Sequence, residues 1–344
     1  MKTKIKVKKL GVILTPTKRS FERLAVLNPA VYQDGNTLHI FYRAVSRNYK
    51  STIGYAKLEG PTHVTHRATA PIISRNNNYE SKGVEDPRIV KIDDTFYLTY
   101  VAHDGKNAVT ALATSWDLQT FAKKGIITPQ ITYDEAAKFF GKTRLKDRYF
   151  MFEAYYEEFA GKDVLLWDKD VVFFPKKINK NFAMIHRILP DMQIVYFKEL
   201  KDLASYAFWK NYLQNLSKYV ILENKYWFES RNIGGGAPPV ETDSGWLLIF
   251  HAVEELNKSR IYHASAALLD RDDPTKIIGR LDTPLISPEE PWETQGFVNN
   301  IVFPTGTAQF GSELYIYYGA ADKRIAVASV NLHELIRVLK NSKK

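Results

Sequence analysis

Five short runs of apolar and aromatic residues recur along the chain: 38–42 (LHIFY), 96–100 (FYLTY), 182–186 (FAMIH), 246–250 (WLLIF) and 314–318 (LYIYY). Each follows turn chemistry: Asp34-Gly35, Asp93-Asp94, 179–181, 243–245 and Gly311-Ser312. Each is preceded by another short run (28–32, 86–90, 170–174, 237–241, 299–303) and followed by a third (52–58, 109–115, 192–197, 260–269, 324–332). The pattern predicts five units of strand, hairpin, strand, loop and strand, with room for a fourth strand. Repeated four-strand units are the mark of a β-propeller, whereas a single sandwich would not need five copies of one hairpin. The fold class expected is all-β: one five-bladed propeller domain over 1–344.

The middle strands start 58, 86, 64 and 68 residues apart, more than a bare blade needs, so the loops must carry insertions. Two read as helical: 133–159, rich in Glu, Lys, Ala and aromatics, and 200–222, with apolar residues at three- and four-residue steps. They lie in insertions at about 127–165 and 198–226. The stretch 332–339 reads as a short amphipathic helix. The basic N-terminus and the lysine-rich C-terminus read as solvated tails.

Propeller symmetry makes equivalent positions comparable. The first runs open with Asn28, Asp86, Asp170, Ala237 and Asn299, four of them polar. Just after the middle runs stand Arg43, Val101, Arg187, His251 and Gly319. Carboxylates and amides on one register, with Arg, Arg and His on another, describe an anion pocket beside a proton donor. In 83–88 (GVEDPR), Asp86-Pro87 is expected to open a strand, because proline tolerates only a first position. Glu85 and Asp86 should then face opposite sides and not form a dyad. Gly234, Gly235 and Gly236 lack the lysine of a phosphate loop and read as a close-approach backbone turn.

Composition narrows the classes. The 344 residues include 13% aromatics and no cysteine, which excludes disulfides, zinc fingers and thiol catalysis. The eight histidines show no metal spacing. The net charge of +10 lies largely in the tails, and no RNA or DNA module appears, so nucleic acid is not an expected partner. The longest apolar run near the N-terminus, 10–14, is too short for a signal core or a membrane span, so a cytoplasmic protein is expected.

The segments 27–44, 83–100, 167–190, 234–253 and 299–322 resemble glycoside hydrolase family 130, the β-mannoside phosphorylases and their hydrolase relatives. The resemblance runs from about residue 20 to 335 and implies a five-bladed propeller. It also implies that Asp86 is the single catalytic acid, that Asn28, Arg43 and Asp322 hold the mannosyl unit, and that Lys169, Arg187 and His251 bind phosphate. The implied reaction is inverting phosphorolysis of manno-oligosaccharides to α-mannose 1-phosphate. No cofactor is implied beyond inorganic phosphate as co-substrate. A phosphate dianion is already a nucleophile and needs cations rather than a base, so one carboxylic acid suffices where an inverting hydrolase needs two.

Two positions depart from the family: Asn232 stands where a lysine is frequent, beside Arg231, and Lys169 where an arginine is common. Relatives that lost basic residues hydrolyse β-1,2-mannosides, and Glu229, Glu254 and Glu255 are the candidates for a base if water attacks. Retained Arg187 and His251 favour phosphorolysis, and retained Asp86 argues against a mannan-binding propeller without activity. The effect of His251 on phosphate is expected to fade at high pH, as its imidazole loses charge. Linkage, acceptor sugar and homo-oligomerisation are left open by the sequence.

Overall fold

The structure is a computed structural model that describes residues 5–257 and 259–342; Lys2, Lys4 and the final two lysines of the expected tails lie outside them. The chain forms five antiparallel units. The first comprises Ala25–Asp34, Thr37–Val45, Ser51–Glu59 and His63–Arg67, and the second Gly83–Ile92, Thr95–His103, Ala108–Ser115 and Ala122–Ile126. The third comprises Lys169–Phe173, Phe182–Arg187, Met192–Phe197 and Val220–Leu222. In the fourth, Asn232–Gly235 and Val240–Thr242 both pair with Gly245–Leu256, which continues to Ser259–Leu269 and Ile277–Arg280. The fifth comprises Val302–Phe310, Glu313–Ala320 and Arg324–Asn331, and its outer strand is the N-terminal Val7–Leu14.

Why the middle runs are apolar throughout is visible in the packing. Along Thr37–Val45, Leu38, Ile40, Tyr42 and Ala44 face the fifth unit, while Phe41 faces the second. Successive side chains of a strand point to opposite faces, and here both faces are covered. Separate apolar clusters fill the seams between units one and two, two and three, three and four, four and five, and five and one. Each large side chain so buried contributes about 1.5–3 kcal/mol.

A second repeated device was not anticipated. Glu22, Glu80, Glu229 and Glu293 are fully buried, three residues before the first strands of units one, two and four and nine before that of unit five. Each takes a cation from the outer strand of its own unit: Arg67 at 2.8 Å, Lys123 at 2.5 Å, Arg280, and Lys9 at 2.7 Å. In three units a middle-strand tyrosine completes the clasp, with Tyr42, Tyr100 and Tyr318 donating to Glu22, Glu80 and Glu293 at 2.7 Å. The clasp ties innermost loop, middle strand and outer strand together. Its sequence signal is an aromatic–Glu dipeptide (Phe21-Glu22, Tyr79-Glu80, Phe228-Glu229, Trp292-Glu293).

The expected helix at 133–159 is two helices, Tyr133–Phe140 and Arg148–Ala160, interrupted around Gly141. Thr132 caps the first by accepting the Glu135 amide. The expected helix at 200–222 shrinks to Tyr206–Gln214, flanked by 3-10 turns, and its end becomes the outer strand of the third unit. The C-terminal helix is Leu332–Asn341, capped by Asn331 and buried through Leu332, Leu335 and Leu339. Among the described residues no helix is long and apolar enough to cross a membrane.

Candidate active site

The five middle strands deliver the expected row. Arg43, Val101, Arg187, His251 and Gly319 pair with Leu27, Glu85, Lys169, Gly234 and Phe303 respectively. In units one, two and three the register then slips, and the residue at the slip has a left-handed backbone: Asn28 at φ 51°, Asp86 at φ 49° and Asp170 at φ 59°. A β-bulge of this kind re-aims a side chain. Asn and Asp tolerate the left-handed region better than other non-glycine residues. The fourth and fifth members differ from expectation. The register places Gly235 and Pro304 there, not Ala237 and Asn299, because the fourth unit's first strand begins at Asn232 and the fifth's at Val302.

The bulge also corrects the reading of the GVEDPR segment. Pro87 does not open the strand; it sits inside Gly83–Ile92, in the bulge, where no ladder donor is required. Glu85 and Asp86 do not diverge, because the left-handed turn brings both onto Arg43. Arg43 Nη2 donates to Glu85 Oε1 at 2.7 Å, and Nη1 lies 3.5 Å from Asp86 Oδ1. Arg43 Nε and Glu85 Oε1 also share Ser51 Oγ, each at 3.0 Å. Asn28 Nδ2 donates to Asp86 Oδ1 at 2.8 Å. Gly319 is required here, since a Cβ would stand 2.1 Å from Asn28 Oδ1. Asp322, also left-handed at φ 49°, joins this group electrostatically. Burial, with Asp86 and Glu85 adding to it against Arg43, pushes its carboxyl up to about 6. Burial pulls the Arg43 guanidinium down, but Glu85, Asp86 and Asp322 together hold it above its ordinary value.

A second group gathers around Asp170. Its Oδ2 lies 3.1 Å from Arg187 Nη1 and 3.8 Å from His251 Nε2, and its Oδ1 lies 3.8 Å from Arg88 Nη2. Burial alone would raise the Asp170 carboxyl, but Arg187, His251, Arg88 and Lys169 hold it below the ordinary range. Lys169 Nζ rests 4.7 Å over the Trp167 ring, and burial lowers its pKa. His251 is fully buried against Phe303, with ring centroids 4.4 Å apart. Burial pulls its pKa down to about 4, so it is neutral at physiological pH and cannot supply the charge expected of it.

The glycine run is a close-approach backbone. A Cβ on Gly234 would meet His251 Cε1 at 2.4 Å, and one on Gly235 would meet the Asp170 carbonyl at 2.6 Å. Buried Arg88 spans to this run, donating to the Gly236 carbonyl at 2.6 Å and to the Asp86 carbonyl at 2.8 Å. It is the bolt between the two groups.

Three residues were not assigned to the site from the sequence. Asp170 was noted only for its register, yet it is the counter-charge of the basic group. Tyr262 packs near His251 and Phe303 and feels both Asp322 and Arg187. Asn232, noted in the sequence only as a departure from the family, shares a strand face with Gly234, two residues on, and is buried with its Nδ2 unpartnered; its position just before the glycines was the available signal. The three glutamates considered as bases are engaged elsewhere. Glu229 is locked by Arg280 and the Lys225 and Tyr226 amides, Glu254 faces His263 at 3.2 Å, and Glu255 pairs with Arg231 at 3.0 Å. Among the described residues one cluster has the geometry to hold a metal ion, Asp134, Glu153 and Glu157 on the helical insertion; it shares no residue with the groups above.

Several buried polar atoms of the two groups make no hydrogen bond: Asn28 Oδ1, Asn232 Nδ2, Arg187 Nε and both ring nitrogens of His251. Such atoms are rare in folded proteins, and their occurrence on side chains of the two groups marks a candidate site for a polar ligand.

Comparison with known proteins agrees in extent and kind. The family 130 model, described as beta-1,4-mannooligosaccharide phosphorylase, matches residues 5–341. A 1,2-beta-oligomannan phosphorylase of Thermoanaerobacter sp. (strain X514) is 31% identical, covering 96% of this chain and 99% of its own. A beta-1,2-mannobiose phosphorylase of the same organism is 32% identical, covering 92% and 94%. The solved structure of a Listeria innocua beta-1,2-mannobiose phosphorylase in complex with beta-1,2-mannobiose superposes with a TM-score of 0.73 at 21% identity, over 98% of this chain and all of that one. With its family model matched almost end to end, this chain belongs to glycoside hydrolase family 130 and is an enzyme of the family's phosphorylase kind.

Proposed function

We propose that the five units are the blades of a five-bladed propeller and that the two polar groups at its centre carry out inverting phosphorolysis of β-mannosides. Asn28, Arg43 and Asp322 hold the mannosyl unit. Asp86 gives its proton to the glycosidic oxygen, relayed through a sugar hydroxyl, as that oxygen's bond to C1 breaks. A phosphate oxygen forms the new bond to C1 from the opposite face. The products are α-mannose 1-phosphate and the shortened sugar.

The observation that carries this reading is the division of charge. Three carboxyl groups gather around one guanidinium on one side, and burial, with the charges of Asp86 and Glu85 beside it, raises the Asp322 carboxyl to about 6. On the other side Lys169 and Arg187 exceed the single Asp170. An anion fits beside the second set and a proton donor within the first. His251, neutral and buried, would contribute a hydrogen bond to phosphate rather than a charge, and Asn232 a second neutral donor. Preorganised donors in a dry site need no reorganisation during the reaction.

Incubation with β-1,2- and β-1,4-mannobiose, with and without phosphate, tests the proposal. Mannose 1-phosphate should form only with phosphate. Equal release of free mannose in both arms would replace phosphorolysis with hydrolysis.

A further inference from the structure

Two exposed aromatic patches lie on segments that adjoin the site. Met151, Tyr155 and Phe159 form a stripe on the helix Arg148–Ala160, and Phe159 packs against Trp167, the ring that carries Lys169. Tyr49 and Phe297 form the other. They are 65% and 55% exposed, yet their rings meet at 6.0 Å across the seam between the first and fifth units. Neither belongs to an apolar cluster of the interior.

Both rings are mounted on backbone that leads directly to the sugar-holding group. Tyr49 stands in the turn between the strand bearing Arg43 and Ser51, which bonds Arg43 Nε. Its backbone is left-handed, φ 56°, a conformation disfavoured for a bulky side chain that holds the ring out of the turn. The Phe297 amide donates to the carbonyl of Ala321, the neighbour of Asp322, at 2.9 Å, and the Val298 amide shares that acceptor at 3.3 Å. A Cβ on Gly296 would stand 2.1 Å from the same carbonyl, so the loop is seated tightly on the strand end that presents Asp322.

Which patch meets the sugar chain follows from the direction of the reaction, and this step rests on the phosphorolysis reading above. In an inverting displacement the leaving group departs opposite the nucleophile. With phosphate held by Lys169 and Arg187 on the third unit, the acceptor chain leaves over the first and fifth units. That is the side of Tyr49 and Phe297, not of the helix Arg148–Ala160. We propose that Tyr49 and Phe297 form a subsite that stacks on a pyranose ring two or more residues beyond the scissile bond, so that the enzyme distinguishes longer manno-oligosaccharides from the disaccharide. The apolar C–H face of a pyranose suits an exposed ring, and aromatic walls are typical of ligand sites.

The test is a double variant, Tyr49→Ala with Phe297→Ala, assayed at saturating phosphate on mannobiose and mannotetraose of both linkages. The ratio of KM for tetraose to KM for disaccharide should rise about ten-fold, with kcat and melting temperature close to wild type. An unchanged ratio would overturn the subsite, as would dissociation of an oligomer in sedimentation, which would assign the pair to an interface. Should wild type turn over no mannoside with phosphate, the phosphorolysis reading fails separately. Calorimetric titration with mannotetraose then decides the subsite: weaker binding to the variant supports it, and equal or absent binding to both proteins removes it.

Discussion

Asp86 owes its position to a backbone conformation, and that makes its replacement informative. Asparagine tolerates the same left-handed geometry and keeps the acceptor for Asn28, so Asp86→Asn should fold normally while losing about 10²- to 10⁴-fold in kcat. A variant retaining more than about a tenth of the wild-type rate would remove Asp86 as the acid. Two neighbours titrate in opposite senses. His251 has its folded pKa lowered to about 4 by burial, so between about 4 and 6.5 the unfolded chain binds more protons and stability rises with pH. Asp322 has its folded pKa raised to about 6, so between about 3.8 and 6 the folded chain binds more protons and stability falls as pH rises. Each contribution is about 3 kcal/mol, and across pH 4–6 they nearly cancel. Removing one should expose the other: His251→Gln should lose stability from pH 4 to 6, and Asp322→Asn should gain it. Denaturant unfolding at a series of pH values reads both slopes, and parallel slopes in the two variants would refute the assignment. Asn28, Arg43, Asp86, Arg187 and His251 could be singled out because polar side chains stood at matching places beside the apolar runs, whereas Lys169 and Asp322 followed only from the family resemblance. Their protonation was not legible, because the burial of His251 depends on Phe303 and the glycine run, some fifty residues away to either side at most and in another unit for Phe303.

At the scale of elements, strands and their order could be read from the chain because each middle run is buried on both faces and needs no partner to be recognised. The helical insertions were read too long, since apolar spacing alone does not register Gly141 or the demand of the third unit for an outer strand at Val220–Leu222. The clasps were overlooked for a related reason. A glutamate in a loop looks like surface until the cation and tyrosine that bury it are known. Breaking a clasp should therefore cost stability without touching chemistry. Glu80→Ala leaves Lys123 and the Tyr100 hydroxyl without their shared acceptor and should destabilise by about 3–5 kcal/mol, with KM for both substrates unchanged. Glu59→Ala, on an exposed strand end, is the control and should change stability by less than about 0.5 kcal/mol. Gly236→Ala should fail more severely, because its Cβ would stand 2.5 Å from the Ile249 carbonyl and 2.9 Å from that of Pro304, and neither backbone can yield cheaply.

For the molecule as a whole, the N-terminal strand is the part the repeat count concealed. Val7–Leu14 carries no copy of the hairpin signature, and the basic stretch that leads into it reads as a tail; the structure shows it completing the fifth unit against Arg324–Asn331. Deleting residues 1–14 would strip an edge of the last unit and remove the Lys9 partner of buried Glu293. The truncated chain should melt at markedly lower temperature and associate through the bared strand, measured by calorimetry and light scattering. The same pairing bears on how the protein is made. Val7 leaves the ribosome more than three hundred residues ahead of its partner, Val330. At roughly 5–20 residues per second, the first strand waits on the order of 15 to 65 seconds with its hydrogen-bonding edge open. Four of the units can form as they emerge, but the last cannot be sealed before Arg324–Asn331 has followed. Nascent chains stalled short of Arg324 should therefore keep an exposed N-terminal segment that proteases cut and chaperones hold, and release should be followed by one late, concerted step of closure.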